Sequence, residues 1–237
     1  QVLDEAFQGV AASVGNLGIT EEKEKVHQVF LQLFFIGQWM YGVAGICLFE
    51  MLNPFVELAF GKKYLFPVEV VLVLCVNFAI NGAKKSVTIF KESMGLFWND
   101  RYKAIVEAVL NLGISVALVV RLGVTGVFLG TIFSMLLTSV WIEPYVIYKH
   151  SFERSSAEFF LTYGKNLVVM GLVWLCTNYC CMIFQGGAFV NLLFRMCVCA
   201  VVPNVLLWLA YRRSEEWKRL FELMKKIVIK VRGKIKG

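Results

Sequence analysis

Long apolar runs broken by short polar segments dominate the chain. Six of them, at 30–52, 65–83, 104–120, 124–147, 161–184 and 188–210, carry few charges. At about 1.5 Å of rise per residue, each is long enough, or nearly so, to cross ~30 Å of hydrocarbon as a helix. No water reaches the backbone there, so single segments of this kind satisfy their own hydrogen bonds as helices. The pattern predicts an all-α fold, a polytopic transmembrane helical bundle of about six full spans.

The polar punctuation predicts where these helices start and stop. Val2, Leu3, Ala6, Phe7, Val10 and Val14 recur at helical spacing, with Asp4, Glu5, Gln8 and Ser13 on other faces. Gly15-Asn16 suits a C-cap. This reads as a partial N-terminal helix, and a piece of a larger protein is expected. Thr20 is a weak N-cap, because Lys23 stands where a capping box needs Glu or Gln. Asn53-Pro54 is expected to stop the first span. Residues 54–64 then form a short amphipathic loop, with Phe55, Phe60, Tyr64 and Phe66 at the level of an aromatic belt. Residues 84–98 read as an interfacial segment whose Lys84, Lys85, Lys91 and Glu92 face water while Val87, Phe90, Met94 and Phe97 face the membrane. Asn99-Asp100 is a turn or N-cap pair. Gly126 and Gly130 form a GxxxG pair suited to close helix packing.

Charge sets the orientation. Of 24 Lys and Arg, all but Lys62, Lys63, Arg121 and Arg195 fall in one alternate set of loops and in the tail. The positive-inside rule puts residues 21–25, residues 84–103 and the C-terminus in the cytoplasm, as in a multi-pass protein of the cytoplasmic membrane. The net charge of +7 is then a topology signal and not a sign of nucleic-acid binding, since no basic soluble domain is present to carry it. From Tyr211 on, Trp217, Leu220, Phe221, Met224, Ile227, Val228 and Val231 make an apolar stripe among Lys and Arg. That is an interfacial helix on anionic lipids, or a surface for a protein partner. The seven cysteines all lie in spans without CxxC spacing and read as small packing residues. No P-loop, GxSxG or His/Cys/Asp ligand cluster is present, so neither an enzyme nor a cofactor or metal site is expected. His27 and His150 are placed in loops, solvated.

Gly95-Leu-Phe-Trp-Asn-Asp-Arg-Tyr-Lys103, followed by Glu107-Ala108, Asn111-Leu112 and Ile114-Ser115, resembles the polysaccharide transporter family, the O-antigen and capsule repeat-unit flippases of the MOP exporter superfamily. Supporting pieces are Gly15-Asn16, Pro54-Phe55-Val56-Glu57-Leu58 with Gly61 and Tyr64-Leu65, Gly126-Val-Phe-Leu-Gly-Thr131, and Glu143-Pro144-Tyr145. The likeness runs through most of 15–149, and beyond it only the two-span pattern and the basic tail match. It implies part of a MATE-like second lobe over 1–150, the end of one helix plus four spans, then two extra C-terminal helices over 151–210, and a basic amphipathic cytoplasmic tail over 211–237. It also implies a missing N-terminal lobe of the same protein, without which the chain alone is not expected to transport, because alternating access needs both lobes.

The resemblance further implies movement of a polyprenyl-pyrophosphate-linked oligosaccharide from the inner to the outer leaflet; a coupling cation, proton or sodium, is a candidate partner. The candidate pathway residues are Glu107, Asn111, Asn77, Asn81, Arg101 and Lys103. Glu107 and Asn111 share a helix face at i, i+4, and a carboxylate at mid-span costs ~2.5–3.5 kcal/mol or more. Glu107 therefore either couples transport to a cation or pairs with Lys103 one turn away. Asn77 and Asn81 repeat the spacing and read as pathway residues or packing glue. Arg101 and Lys103 could meet a pyrophosphate or simply anchor the cytoplasmic face. Arg121 and Arg195 are expected to snorkel. Rival readings are a multidrug exporter or peptidoglycan-precursor flippase of the same superfamily, a membrane-embedded polysaccharide-assembly enzyme, and a non-catalytic scaffold.

Overall fold

The structure is a computed structural model and describes residues 23–184, 186–214 and 217–218. The expected N-terminal partial helix, the caps at Gly15-Asn16 and Thr20, and the tail beyond Lys218 lie outside these residues. The described residues form α1 (Lys23–Phe60), α2 (Val68–Ser93), α3 (Lys103–Leu122), α4 (Val124–Leu137), α5 (Ser139–Ile147), α6 (Ala157–Met182) and α7 (Ala188–Tyr211), with no strand. Six helical stretches are long and apolar enough to cross a membrane, with α4, α5 and the turn after them counted as one. The chain is a multi-pass, all-α membrane protein.

Three helical hairpins build the bundle: α1/α2, α3/α4 and α6/α7. α7 packs on α1, α4 on α2, and α5 closes against α2 and α4. In lipid the contacts gain from close packing rather than from dehydration, so small residues decide which helices meet. A Cβ on Gly126 would stand 2.6 Å from the Leu118 backbone, and one on Gly130 2.8 Å from the Ser115 Cα. The expected GxxxG pair is thus what lets α3 and α4 touch. The opposite face of α3 is apolar and exposed at Val109, Leu112, Val116 and Val120, as a lipid-facing surface is.

Several expected boundaries shift. α1 does not stop at Asn53-Pro54; it runs 38 residues to Phe60, about 57 Å at 1.5 Å per residue. Pro54 removes the N–H that would bond the Glu50 carbonyl. Arg195 Nη1 donates to that carbonyl at 3.1 Å instead, so the helix survives. Asn53 lies within the helix, and its side-chain amide clasps both backbone groups of Phe66, donating to the carbonyl at 2.9 Å and accepting from the N–H at 3.0 Å. The polar segment from Lys84 is not interfacial either: α2 continues unbroken to Ser93, with Val87 and Phe90 in the core and Lys91 only 4 % exposed. The fourth span breaks at Thr138 (φ −123°, ψ −87°).

One end of the bundle is held by an aromatic core of Phe30, Phe34, Phe90, Tyr148, Phe152 and Phe159, drawn from α1, α2, α6 and the π-helical turn Tyr148–Phe152. His27, expected in a solvated loop, sits in α1 against this core with Nε2 2.9 Å from the Tyr148 hydroxyl. Exposed pairs Lys23–Glu153 (2.6 Å) and Arg154–Glu24 (2.7 Å) tie the loop after that turn to the start of α1. The Lys23 ammonium holds the Glu153 carboxyl below its usual range. A second core of Phe35, Ile46, Val173, Leu207 and Tyr211 joins α1, α6 and α7, and Trp217 stacks on Trp39 at 4.7 Å.

Candidate functional site

α2 carries Lys84 and Lys91 seven residues apart, on one face turned toward α3 and α5. Lys84 Nζ lies 3.1 Å from Glu107 Oε1 on α3. Lys91 Nζ lies 2.5 Å from Asp100 Oδ2, before α3, and 3.5 Å from Glu143 Oε1 on α5. Lys103, in the first turn of α3, ion-pairs with Glu143 and stands 3.7 Å from Asp100. Thr88, between the two α2 lysines, donates to Glu143 Oε2 at 2.6 Å. The side chains of Glu143, Asp100 and Lys91 are 0 %, 3 % and 6 % exposed. Lys84, Lys91 and Lys103 balance Asp100, Glu107 and Glu143, so the cluster is neutral as a whole. Removing charges from water is costly, and such a cluster persists only when every member is paired and hydrogen-bonded.

Glu107 occupies the break between α4 and α5. Its Oε2 accepts from Thr138 Oγ1 at 3.0 Å and from Ser139 Oγ. The Thr138 hydroxyl also lies 2.6 Å from the Ser134 carbonyl, one turn back in α4. Broken helices inside a membrane are tolerated where protein or a cavity surrounds them, and they often mark binding sites in transporters. A cavity of about 20 Å³, the size of one water, lies beside Lys84, Ser139 and Glu143.

Of the sequence candidates, Glu107 and Lys103 enter this one cluster, but not as each other's partner. Lys103 serves Glu143 and Asp100, while Glu107 takes Lys84. Asn111, one turn along α3, donates to Thr131 Oγ1 at 3.0 Å and Ser134 Oγ at 3.4 Å, binding α3 to α4. Asn77 and Asn81 bond to each other on a different, outward face of α2. Arg101 leaves the cluster: its guanidinium lies 4.5 Å from the Trp98 ring centroid and 4.8 Å from that of Tyr102. Lys84, Lys91, Asp100 and Glu143 were not among the pathway candidates: Lys84 and Lys91 were expected to face water, Asp100 to form a turn or cap, and Glu143 entered only as part of the resemblance. Glu143 was findable, since a carboxylate within an apolar span is a functional hypothesis by default.

The same signal was present at Glu50, in the first span. It is 1 % exposed and paired with Arg195 at 3.0 Å, and Asn178 Nδ2 donates to it at 2.8 Å. Arg195 therefore does not snorkel; it turns inward to α1. Among the described residues, no group of three or more His, Cys, Asp or Glu is placed to hold a metal ion. The carboxylates of the cluster are each paired with lysine, and Glu107 and Glu143 also accept from the hydroxyls of Thr88, Thr138 and Ser139. Compared with known proteins, the chain matches no family model, no curated protein and no solved structure.

Proposed function

We propose that the chain is part of a flippase that carries polyprenyl-pyrophosphate-linked oligosaccharide repeat units across the cytoplasmic membrane, with the lysine-rich loops and the C-terminus on the cytoplasmic side. The observation that supports this reading most is the convergence of residues from separate pieces of the family resemblance. Asp100, Lys103 and Glu107 come from the 95–115 string and Glu143 from Glu143-Pro144-Tyr145, 28 or more residues on by count of the sequence. They meet in one buried, charge-balanced cluster at a broken span. A scaffold has no need of such a cluster, whose assembly costs desolvation.

In this reading no covalent bond changes, so the protein acts as a transporter and not as an enzyme. Uptake of a proton or sodium ion at Glu107 or Glu143 releases a lysine from its partner and shifts how α3 and α5 sit against α2. Lys103, already engaged twice, serves the cluster rather than the pyrophosphate.

Deleting the gene in its host and assaying lipid-linked oligosaccharide by leaflet tests the reading. Accumulation of complete repeat units on the inner leaflet, reversed by the wild-type gene and not by Glu143→Gln, is the expected result. Unchanged leaflet distribution after deletion would overturn it.

A further inference from the structure

A second face of α2 meets the cluster only at Thr88. Asn77, Asn81, Lys85, Thr88 and Glu92 follow one another at three- to four-residue steps, so they form one stripe about 22 Å long at 1.5 Å per residue. Asn81 and Glu92 are exposed and the others partly so. From Asn81 to Glu92 the stripe lines an open recess of about 560 Å³, within the 300–1,000 Å³ typical of ligand sites, and Asn77 lies just outside that lining. Tyr41 of α1 and Phe78 form its aromatic side, their ring centroids 5.7 Å apart and inclined by 59°.

The recess is built, not incidental. Gly82 lets the Tyr41 ring lie directly on the α2 backbone, because a Cβ there would stand 1.9 Å from Tyr41 Cγ. Asn81 Nδ2 donates to the Asn77 carbonyl at 2.9 Å and to Asn77 Oδ1 at 2.8 Å. That leaves Asn81 Oδ1 as an acceptor and the Asn77 amide as a donor, neither with a partner among the described residues. Facing hydrocarbon, unmet amide groups cost several kcal/mol, so this face meets water or a polar ligand rather than lipid tails.

We propose that the recess is a saccharide-binding surface, the place where the glycan part of the cargo lies; this rests on the transport reading above. Within the recess Asn81 Oδ1 accepts from a sugar hydroxyl, while its Nδ2 is held by Asn77. Aromatic faces accept its C–H side. Both signs of charge at the rim, Lys84 and Lys85 against Glu92, suit a neutral or weakly charged glycan better than a polyphosphate. Lys84 and Thr88 line the recess and also hold Glu107 and Glu143, so a bound sugar touches residues of the buried cluster directly.

The test is saturation-transfer NMR on the full 237-residue chain in lipid nanodiscs, with maltotriose as a neutral trisaccharide probe and inorganic pyrophosphate as competitor. Expected are transfer to the sugar ring protons, a loss of at least fivefold in Asn81→Leu and in Tyr41→Leu, retention in Asn81→Gln, and no displacement by equimolar pyrophosphate. Wild-type chain without transfer, equal transfer in Asn81→Leu, or displacement by pyrophosphate would each overturn the proposal. Melting temperatures within a few degrees of wild type separate lost binding from lost folding. Because binding is read without transport, sugar binding in a chain whose deletion leaves lipid-linked oligosaccharide in place sinks the flippase reading alone. Absent binding beside a flipping defect sinks this inference alone.

Discussion

Arg195 holds Glu50 twice, through its carboxylate at 3.0 Å and through its backbone carbonyl at 3.1 Å. The second bond exists because Pro54, four residues on, has no N–H to offer. The same exchange runs in the other direction between these helices. Pro203 in α7 frees the Cys199 carbonyl, and the Cys47 thiol of α1 donates to it at 3.7 Å. Each helix thus supplies the donor that the other helix's proline removed, and α1 and α7 are joined at two such points.

Arg195→Met is expected to destabilise the chain by about 3–5 kcal/mol, since Glu50 then keeps a buried charge and an unmet carbonyl. Arg195→Lys should fall between wild type and Arg195→Met, because an ammonium can meet Glu50 as Nη1 does but loses the second nitrogen, Nε, that donates to Asn191. Adding Glu50→Gln to Arg195→Met should recover part of the loss. Unfolding in one detergent, followed for all four proteins, checks the order; an Arg195→Met chain as stable as wild type would show the pair to be idle.

Within the cluster, Glu143→Gln leaves Lys91 and Lys103 with only Asp100 as an anionic partner. Loss of about 3 kcal/mol is expected, with partial recovery in Glu143→Leu/Lys103→Met, where both buried charges are gone. Additive losses in the double variant would mean that the two side chains act independently.

Glu107→Gln retains a hydrogen-bond acceptor for Thr138 and Ser139 but no charge for Lys84. In the proposed transporter it should fold, flip at least tenfold more slowly and lose its dependence on the driving cation. Unchanged flipping with unchanged ion dependence would remove Glu107 from the coupling pathway.

Glycines of one hairpin should respond with opposite signs. Gly130→Leu drives a side chain into Ser115 and is expected to cost about 1–3 kcal/mol through overpacking. Gly113→Ala on α3 meets nothing within 4 Å and removes a flexible residue from a helix interior, a gain of roughly 0.5–1 kcal/mol. Thermal melts of the two variants decide; a loss in both would mean α3 and α4 pack otherwise.

The sequence by itself determined that the chain is a bundle of membrane helices, because hydrophobic length is a local property and lipid permits one backbone solution. It also marked Gly126 and Gly130 as a close-packing face, which needs only spacing along one helix; that α3 is the helix it meets was decided by the tertiary structure. The boundaries and partners were decided by the tertiary structure. Pro54 stops a helix only if its freed carbonyl stays unmet, and the donor that meets it lies 145 positions away in Arg195. Glu107 has a lysine one turn off at Lys103, yet its partner is Lys84, because the packing of α5 turns Lys103 toward Glu143. Charge pairs inside a membrane are chosen by which helices meet, and no local pattern encodes that choice.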